Sequence, residues 1–207
     1  LGLSHEENLK EASKLDSPHK ISVVSLKLTN ARDKKIQYEN DLIESNKLVE
    51  LVTVINNGSK IVGPKVTESL KTGILETDSD LLTYSIEGVK DNDGGNIKHN
   101  LYLTITHNSS SERGYFSAHI CSQWGRCEAS KEDGSSNELM LTAISSIGSK
   151  CSSLKCDYSE AVEINLNSEF LHDSINNGFA LKLISKKKSH KIKVSAPYLM
   201  SYLSFTK

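Results

Sequence analysis

The sequence feature that most constrains the fold is a strict alternation between residues 97 and 107. One parity of this run holds four aliphatic residues and two histidines: Ile97, His99, Leu101, Leu103, Ile105 and His107. The other parity holds polar residues and one tyrosine. Because successive side chains of a β-strand point to opposite faces, the pattern predicts a half-buried strand of about eleven residues.

Shorter runs of the same period recur along the chain, separated by turn signals such as Asn56-Asn57-Gly58. They predict strands over the following ranges: 21–28, 48–55, 80–87, 114–122, 138–147, 161–166, 179–184 and 191–194. Many short strands with frequent turns predict an all-β fold, mainly an antiparallel β-sandwich of immunoglobulin-like or related type.

The clearest strand pair expected from the sequence joins residues 97–107 to residues 114–122. The segment between them, N-S-S-S-E-R, has the composition of a turn. A hairpin is therefore predicted here, with Phe116, Ala118 and Ile120 facing the core.

The N-terminal 18 residues form a segment distinct from the strands that follow. Ser4 and Glu7 have the spacing of a capping box, which predicts a short helix. We expect residues 1–18 to be a leader or tether and residues 19–207 to be a single β-sandwich domain. A soft division near residues 88–96 is the alternative organisation.

The second half of the chain carries two further helix signals. Asn167 or Ser168 is expected to cap a short helix that is closed by Gly178, where a left-handed backbone is needed. Pro197 is well placed for the first turn of a last helical or extended segment. The predicted fold therefore includes one or two short C-terminal helical segments.

Composition limits the classes of partner. The chain has 207 residues, of which 25 are basic and 26 acidic, so its formal net charge is −1. Because general nucleic-acid binders need a summed positive field, this balance predicts no nucleic-acid role. No apolar run approaches the roughly 18 residues that cross a bilayer. The expected partners are proteins of a larger assembly, with peripheral membrane association through the N-terminal segment as an option.

Four cysteines occur as two close pairs, Cys121 with Cys127 and Cys151 with Cys156. Residues that flank a hairpin turn bring their β-carbons close to disulfide distance, which favours two local bridges. A four-cysteine zinc site and free thiols are the alternatives, but the spacers of five and four residues lack zinc-ribbon context. Paired cysteines predict an extracytoplasmic location: periplasm, outer envelope or secretion.

The chain starts at Leu1 rather than at a methionine. We therefore expect either a mature product whose targeting segment was removed or a trimmed chain. Whether a signal peptide or a lipid anchor preceded Leu1 is left open by the sequence.

Signatures of catalysis are missing from the sequence. It contains no nucleophile elbow, P-loop, dinucleotide fingerprint, H-E-x-x-H motif or EF-hand loop. We therefore expect no enzyme, no cofactor and no metal site. One alternative is a metal-dependent hydrolase that combines His107, Glu112 and His119 across the predicted hairpin. Another is a lectin-like ligand-binding sandwich, although aromatic residues make up only 6% of the chain.

Two features are candidates for contact with a partner. Trp124 and Arg126 lie between the first two cysteines, and an aromatic side chain in a pinned loop is typical of a binding hot spot. The run Lys186, Lys187 and Lys188 lies at the tip of a predicted hairpin. It could hold an acidic partner or anionic headgroups, or simply protect a sheet edge.

Together these observations predict a non-catalytic extracytoplasmic interaction or scaffold module. The predicted setting is the envelope or surface of a bacterial cell, in a larger assembly such as a secretion system. This expectation depends on the joint pattern of strands, local disulfides and missing catalytic motifs.

Overall fold

A computed structural model of the chain describes residues 4–14, 18–70, 80–91, 96–121, 127 and 138–206. The chain divides into two compact units, residues 1–44 and residues 45–207. The first unit contains helix α1 (His5–Ala12) and most of helix α2 (Pro18–Val49). None of the described helices has a stretch that is long and apolar enough to cross a membrane.

Helix α1 begins with the capping box that the sequence predicted. The Ser4 side chain accepts a hydrogen bond from the Glu7 backbone N–H, and the Glu7 carboxylate accepts one from the Ser4 backbone N–H. Two backbone donors at the helix start are thus satisfied reciprocally. The short N-terminal helix is confirmed.

Helix α2 runs through residues 21–28, where the sequence predicted a strand, and that prediction is wrong. Residues 19–57 contain no glycine or proline, and Pro18 is accommodated in the first helical turn. Ile21, Val24 and Leu28 also fit the three-to-four-residue spacing of a helix face, and all three are half-buried. Strand preference of β-branched residues is weak enough for this context to override it.

The described part of the second unit forms eleven antiparallel strands. Their bounds are β1 (Thr53–Ile55), β2 (Lys60–Val62), β3 (Val66–Leu70), β4 (Asp80–Lys90), β5 (Ile97–Ser109), β6 (Tyr115–Ile120), β7 (Glu138–Leu139), β8 (Leu141–Ser149), β9 (Cys156–Leu166), β10 (Phe179–Ser185) and β11 (Ser189–Val194). The strand predicted over 48–55 is thus confirmed only as β1, because helix α2 extends to Val49.

The strands form two sheets, and the predicted all-β, sandwich-like fold is confirmed. The seven-stranded sheet has the order β1-β2-β4-β5-β9-β8, with β3 also paired to β4. The four-stranded sheet has the order β11-β10-β6-β7. Inward-facing aliphatic residues of both sheets join one apolar core, among them Leu101 and Leu103 of β5 and Leu181 and Leu183 of β10. Each such buried side chain contributes roughly 1.5–3 kcal/mol.

The predicted hairpin between residues 97–107 and 114–122 is wrong. Strand β5 pairs with β4 and β9, whereas β6 pairs with β7 and β10, so the chain crosses from one sheet to the other after β5. Ala118 and Ile120 pack in or against the core as predicted, but the side chain of Phe116 is 59% exposed, while Tyr115 and Ser117 are buried. The pairing of β6 with β10 skips Phe116. This bulge changes which alternate residues of β6 face the core.

The C-terminal helix signals are confirmed. Helix α3 (Ser168–Asp173) is capped by the side chain of Asn167, and Gly178 has a φ of +66°. Helix α4 (Ala196–Leu203) has Ser195 as its cap and a proline in its first turn.

Helix α4 forms part of the core. Tyr198 and Tyr202 are fully buried, and the Ile86 backbone N–H donates to the Tyr198 hydroxyl oxygen at 2.8 Å. A β-carbon at Gly63 would lie 2.6 Å from the Tyr198 hydroxyl oxygen, and one at Gly88 would lie 2.5 Å from that of Tyr202. These two glycines therefore make room for the tyrosine hydroxyls against β4.

Both predicted disulfides are present. Cys121–Cys127 follows β6, and Cys151–Cys156 closes the connection between β8 and β9. The strands predicted over 138–147 and 161–166 are present as β7 with β8 and as β9, and β8 pairs antiparallel with β9. Two disulfides are typical of a protein from an oxidising environment.

Candidate functional site

The two histidines of the alternating run are buried at opposite ends of β5. His99 Nδ1 lies 2.7 Å from the Tyr202 hydroxyl oxygen, and burial lowers the pKa of His99 to about 4. The neutral ring therefore shares a buried hydrogen bond with the Tyr202 hydroxyl. His99 thus ties helix α4 to β5 in the interior of the second unit.

The other end of β5 lies in a buried polar cluster, which we call the crossover network. It contains five residues that are at most 7% exposed: Asp80, His107, Arg113, Glu160 and His190. Arg113 donates to Asp80 in a bidentate pair, with Nη1–Oδ2 at 2.5 Å and Nη2–Oδ1 at 2.8 Å. This geometry is the strong form of a charge-assisted hydrogen bond.

His190 completes the surroundings of Arg113. Arg113 Nη1 lies 2.8 Å from His190 Nε2, and because a guanidinium only donates, this ring nitrogen is the acceptor. Burial lowers the pKa of His190 to about 4, against the attraction of Asp80. The ring is therefore neutral at pH 7, and its 3.3 Å approach to Asp80 is not an ion pair.

Glu160 holds in place the crossover segment, which is residues 110–114 between β5 and β6. Its Oε1 accepts from the Arg113 backbone N–H and lies 2.7 Å from His107 Nε2, and its Oε2 accepts from the Gly114 N–H. Burial alone would raise the pKa of Glu160, but these hydrogen bonds outweigh it and the pKa is lowered. The carboxylate is thus an internal anchor for the backbone between the two sheets.

Three residues at this end of β5, Ser109, His107 and Glu160, are hydrogen-bonded in the order of a hydrolase triad. Ser109 Oγ lies 3.0 Å from His107 Nδ1, and His107 Nε2 contacts Glu160. However, the Ser109 hydroxyl donates to the Ser111 carbonyl at 2.6 Å, and the imidazole has no exposed surface. These three residues therefore stabilise the crossover segment and offer no open nucleophile–base pair.

The metal-dependent hydrolase alternative required His107 and His119 to face each other on paired strands. Their strands lie in different sheets. His107 lies on β5, and His119 lies on β6 in the other sheet, with its Nε2 3.0 Å from Ser117 Oγ. Glu160, rather than Glu112, is the carboxylate at His107. Across the described ranges, no group of three or more histidine, cysteine, aspartate or glutamate residues is placed to hold a metal.

A pocket of about 250 Å³ lies between β8, β9 and the crossover segment. Glu112, Gly114, Ile144 and Glu160 are among its lining residues. Glu160 carries the only lining carboxylate besides Glu112, and its oxygens already accept the bonds described above. The pocket is thus a surface depression next to a carboxylate whose oxygens already accept hydrogen bonds from the protein.

The predicted lysine run lies where the sequence placed it, between β10 and β11. Lys187 Nζ hydrogen-bonds to Ser111 Oγ, so the turn contacts the crossover segment. On the adjoining strands Lys182 is directly opposite Lys191, and Lys193 follows on the same face. We call the lysines at 182, 186, 187, 188, 191 and 193 the lysine face. Trp124 and Arg126 lie outside the described residues.

Sequence reasoning missed Asp80, Arg113, Glu160 and His190. A signal was present for three of them, because Asp80, Glu160 and His190 continue the inward parity of β4, β9 and β11. A polar residue at an inward position predicts a buried partner. Arg113 lies in an irregular segment, where periodicity gives no signal.

These features define the class of protein as a disulfide-stabilised antiparallel β-sandwich whose buried ionisable groups form closed hydrogen-bond networks. Comparison with known protein families, curated proteins and solved structures finds no match.

Proposed function

We propose that the chain is a non-catalytic interaction or scaffold module of an extracytoplasmic assembly, located in the periplasm, in the outer envelope or outside the cell. The observation that carries this proposal is the lysine face. A bacterial surface or secretion-type assembly is the setting that we favour, and membrane association of the N-terminal segment stays a prediction.

The lysine face concentrates charge of one sign. Residues 174–207 contain seven lysines and no acidic residue, although the whole chain has a net charge of −1. Lys182 and Lys191 occupy directly opposed positions on neighbouring strands, an arrangement that destabilises a sheet. An acidic partner surface would be attracted to this concentration of positive charge, and it would associate faster at low ionic strength.

The buried chemistry supports a scaffold rather than an enzyme. The bidentate Arg113–Asp80 pair and the Glu160 anchor hold strands and crossover segment in one arrangement. These groups are buried, and their mutual hydrogen bonds fix the fold in one arrangement. A rigid sandwich of this kind positions surface residues for docking at little entropic cost.

The test uses the complete chain and poly-glutamate as a defined acidic probe. We expect binding that weakens with salt and that is lost at least about tenfold in the variant Lys182→Glu/Lys191→Glu/Lys193→Glu. The matched control Lys34→Glu/Lys65→Glu/Lys98→Glu makes the same change in net charge at exposed sites elsewhere and should bind like the unaltered chain.

Three results would contradict the proposal. Equal loss in the control triple variant would show that only net charge matters. Binding to phosphatidylglycerol vesicles without binding to poly-glutamate would assign the lysine face to a membrane surface. Retention of a stoichiometric metal after dialysis, measured by elemental analysis, together with metal-dependent hydrolysis would favour the enzyme alternative.

A further inference from the structure

The outer edges of the two sheets differ in length and charge. Strand β1 has three residues and β7 has two, and β11 carries Lys191 and Lys193. Short strands and lysines are the usual protection of an edge against pairing with another chain. Strand β8, in contrast, has nine residues, L-T-A-I-S-S-I-G-S, with no charge and no proline.

Strand β8 is also the most exposed of these edges. Eight of its nine residues are exposed, including Ile144 and Ile147 at 52% and 62%. Among the described residues β9 is its only paired strand. The backbone groups on its other side have the geometry of a template for one more strand.

We propose that β8 pairs antiparallel with β8 of a second copy of this chain, which joins two seven-stranded sheets across a two-fold axis. An identical strand is self-complementary in such an isologous contact. The uncharged sequence brings no like charges together, whereas the same pairing at β11 would oppose lysine to lysine. The proposal does not depend on the lysine face, which lies on the other sheet.

The structure also indicates which part of β8 pairs. The register with β9 is interrupted between Ala143 and Ser145 and regular from Ser145 to Ser149. The Cys151–Cys156 bridge closes the connection just beyond, so this stretch is held before any partner arrives. Its middle residue is Ile147, which packs against its own counterpart at the two-fold axis.

A ladder of five residues, about 17 Å long, predicts a weak dimer that dissociates in the micromolar range. Sedimentation of the complete chain across the micromolar range should therefore show a monomer–dimer equilibrium. Hydrogen exchange should show added protection within 145–149 as concentration rises, because the alternate amides of this stretch that face away from β9 gain partners in the second copy.

The decisive variant is Ile147→Lys, which places two ammonium groups opposite each other at the axis. It should raise the dimer dissociation constant by about tenfold or more. Phe116→Lys is the matched control, since Phe116 is 59% exposed but lies on the other sheet; it should leave dimerisation unchanged.

The proposal is overturned if the chain stays monomeric throughout the micromolar range. It is also overturned if both variants dimerise like the unaltered chain, or if dimerisation leaves the exchange of 145–149 unchanged. Poly-glutamate binding is also measured for Ile147→Lys. If this variant still binds poly-glutamate, the lysine face acts independently of β8, and failure of the dimer proposal leaves the proposed function standing.

Discussion

The crossover network and the β8 edge represent opposite uses of polar groups within the same unit. In the crossover network, Asp80, Arg113 and Glu160 are almost completely buried, and each is bonded to a specific partner. Along β8 nearly every residue is exposed, and the outward backbone groups face no described strand. The comparison teaches that the buried ionisable groups of this unit satisfy one another, whereas the β8 edge exposes backbone groups that no described strand pairs with.

The largest expected effect comes from breaking the network at Arg113. In Arg113→Met, Asp80 stays buried without its cation, which should lower the free energy of unfolding by about 3–5 kcal/mol. Urea denaturation at pH 7 measures the loss. The double variant Asp80→Leu/Arg113→Met should recover much of it, and a double variant as unstable as the single one would contradict this account.

The next effect concerns pH. The pKa of His99 and of His190 is about 4 in the folded protein, against about 6.5 in the unfolded chain. Between these values only the unfolded chain takes up the proton, so the free energy of unfolding falls as pH decreases from 6.5 to 4. Each histidine contributes roughly 3 kcal/mol to this dependence.

Urea midpoints measured at steps from pH 7.5 to pH 4 test the prediction, with His99→Gln expected to flatten the profile. The β8 edge has no titratable residue, so dimerisation should not follow the same profile. A profile unchanged by His99→Gln would show that this ring titrates alike in both states.

A smaller effect is expected from the bridge beside β8. The paired change Cys151→Ser/Cys156→Ser frees a short loop and should cost about 2 kcal/mol of stability by the chain-entropy estimate. The same variant should weaken dimerisation, because the strand end is less well held. Thermal unfolding and sedimentation measure the two effects, and unchanged dimerisation would limit the role of the bridge to stability.

The smallest effect is expected from Ile147→Lys on the fold itself. Because Ile147 is largely exposed, the free energy of unfolding of the dilute monomer should change by no more than about 0.5 kcal/mol. Urea denaturation below the dimer dissociation constant measures it. A loss comparable to that of Arg113→Met would mean that Ile147 belongs to the core and not to an exposed edge.

Much of the fold could be read from local sequence. The alternation of 97–107 predicted β5, the cysteine spacing predicted both disulfides, and Asn167 predicted the cap of α3. These features depend on period, spacing or a single side chain, and each leaves a mark within a few residues.

Features that depend on distant partners could not be read in this way. Residues 21–28 have a composition that suits a strand, but they lie in a long stretch without a helix breaker. The six residues after His107 suit a tight turn and a crossover equally well. Glu160, 53 positions away from His107 in sequence, decides between them through the Arg113 and Gly114 N–H groups.

Helix α4 has a consequence for how the chain acquires its structure. Tyr198 and Tyr202 bond to groups on β4 and β5, and Leu199 and Leu203 are fully buried beside them. The apolar core of the sandwich is therefore incomplete until Leu203 has been synthesised. Folding of this unit is completed after, and not during, translation of its strands.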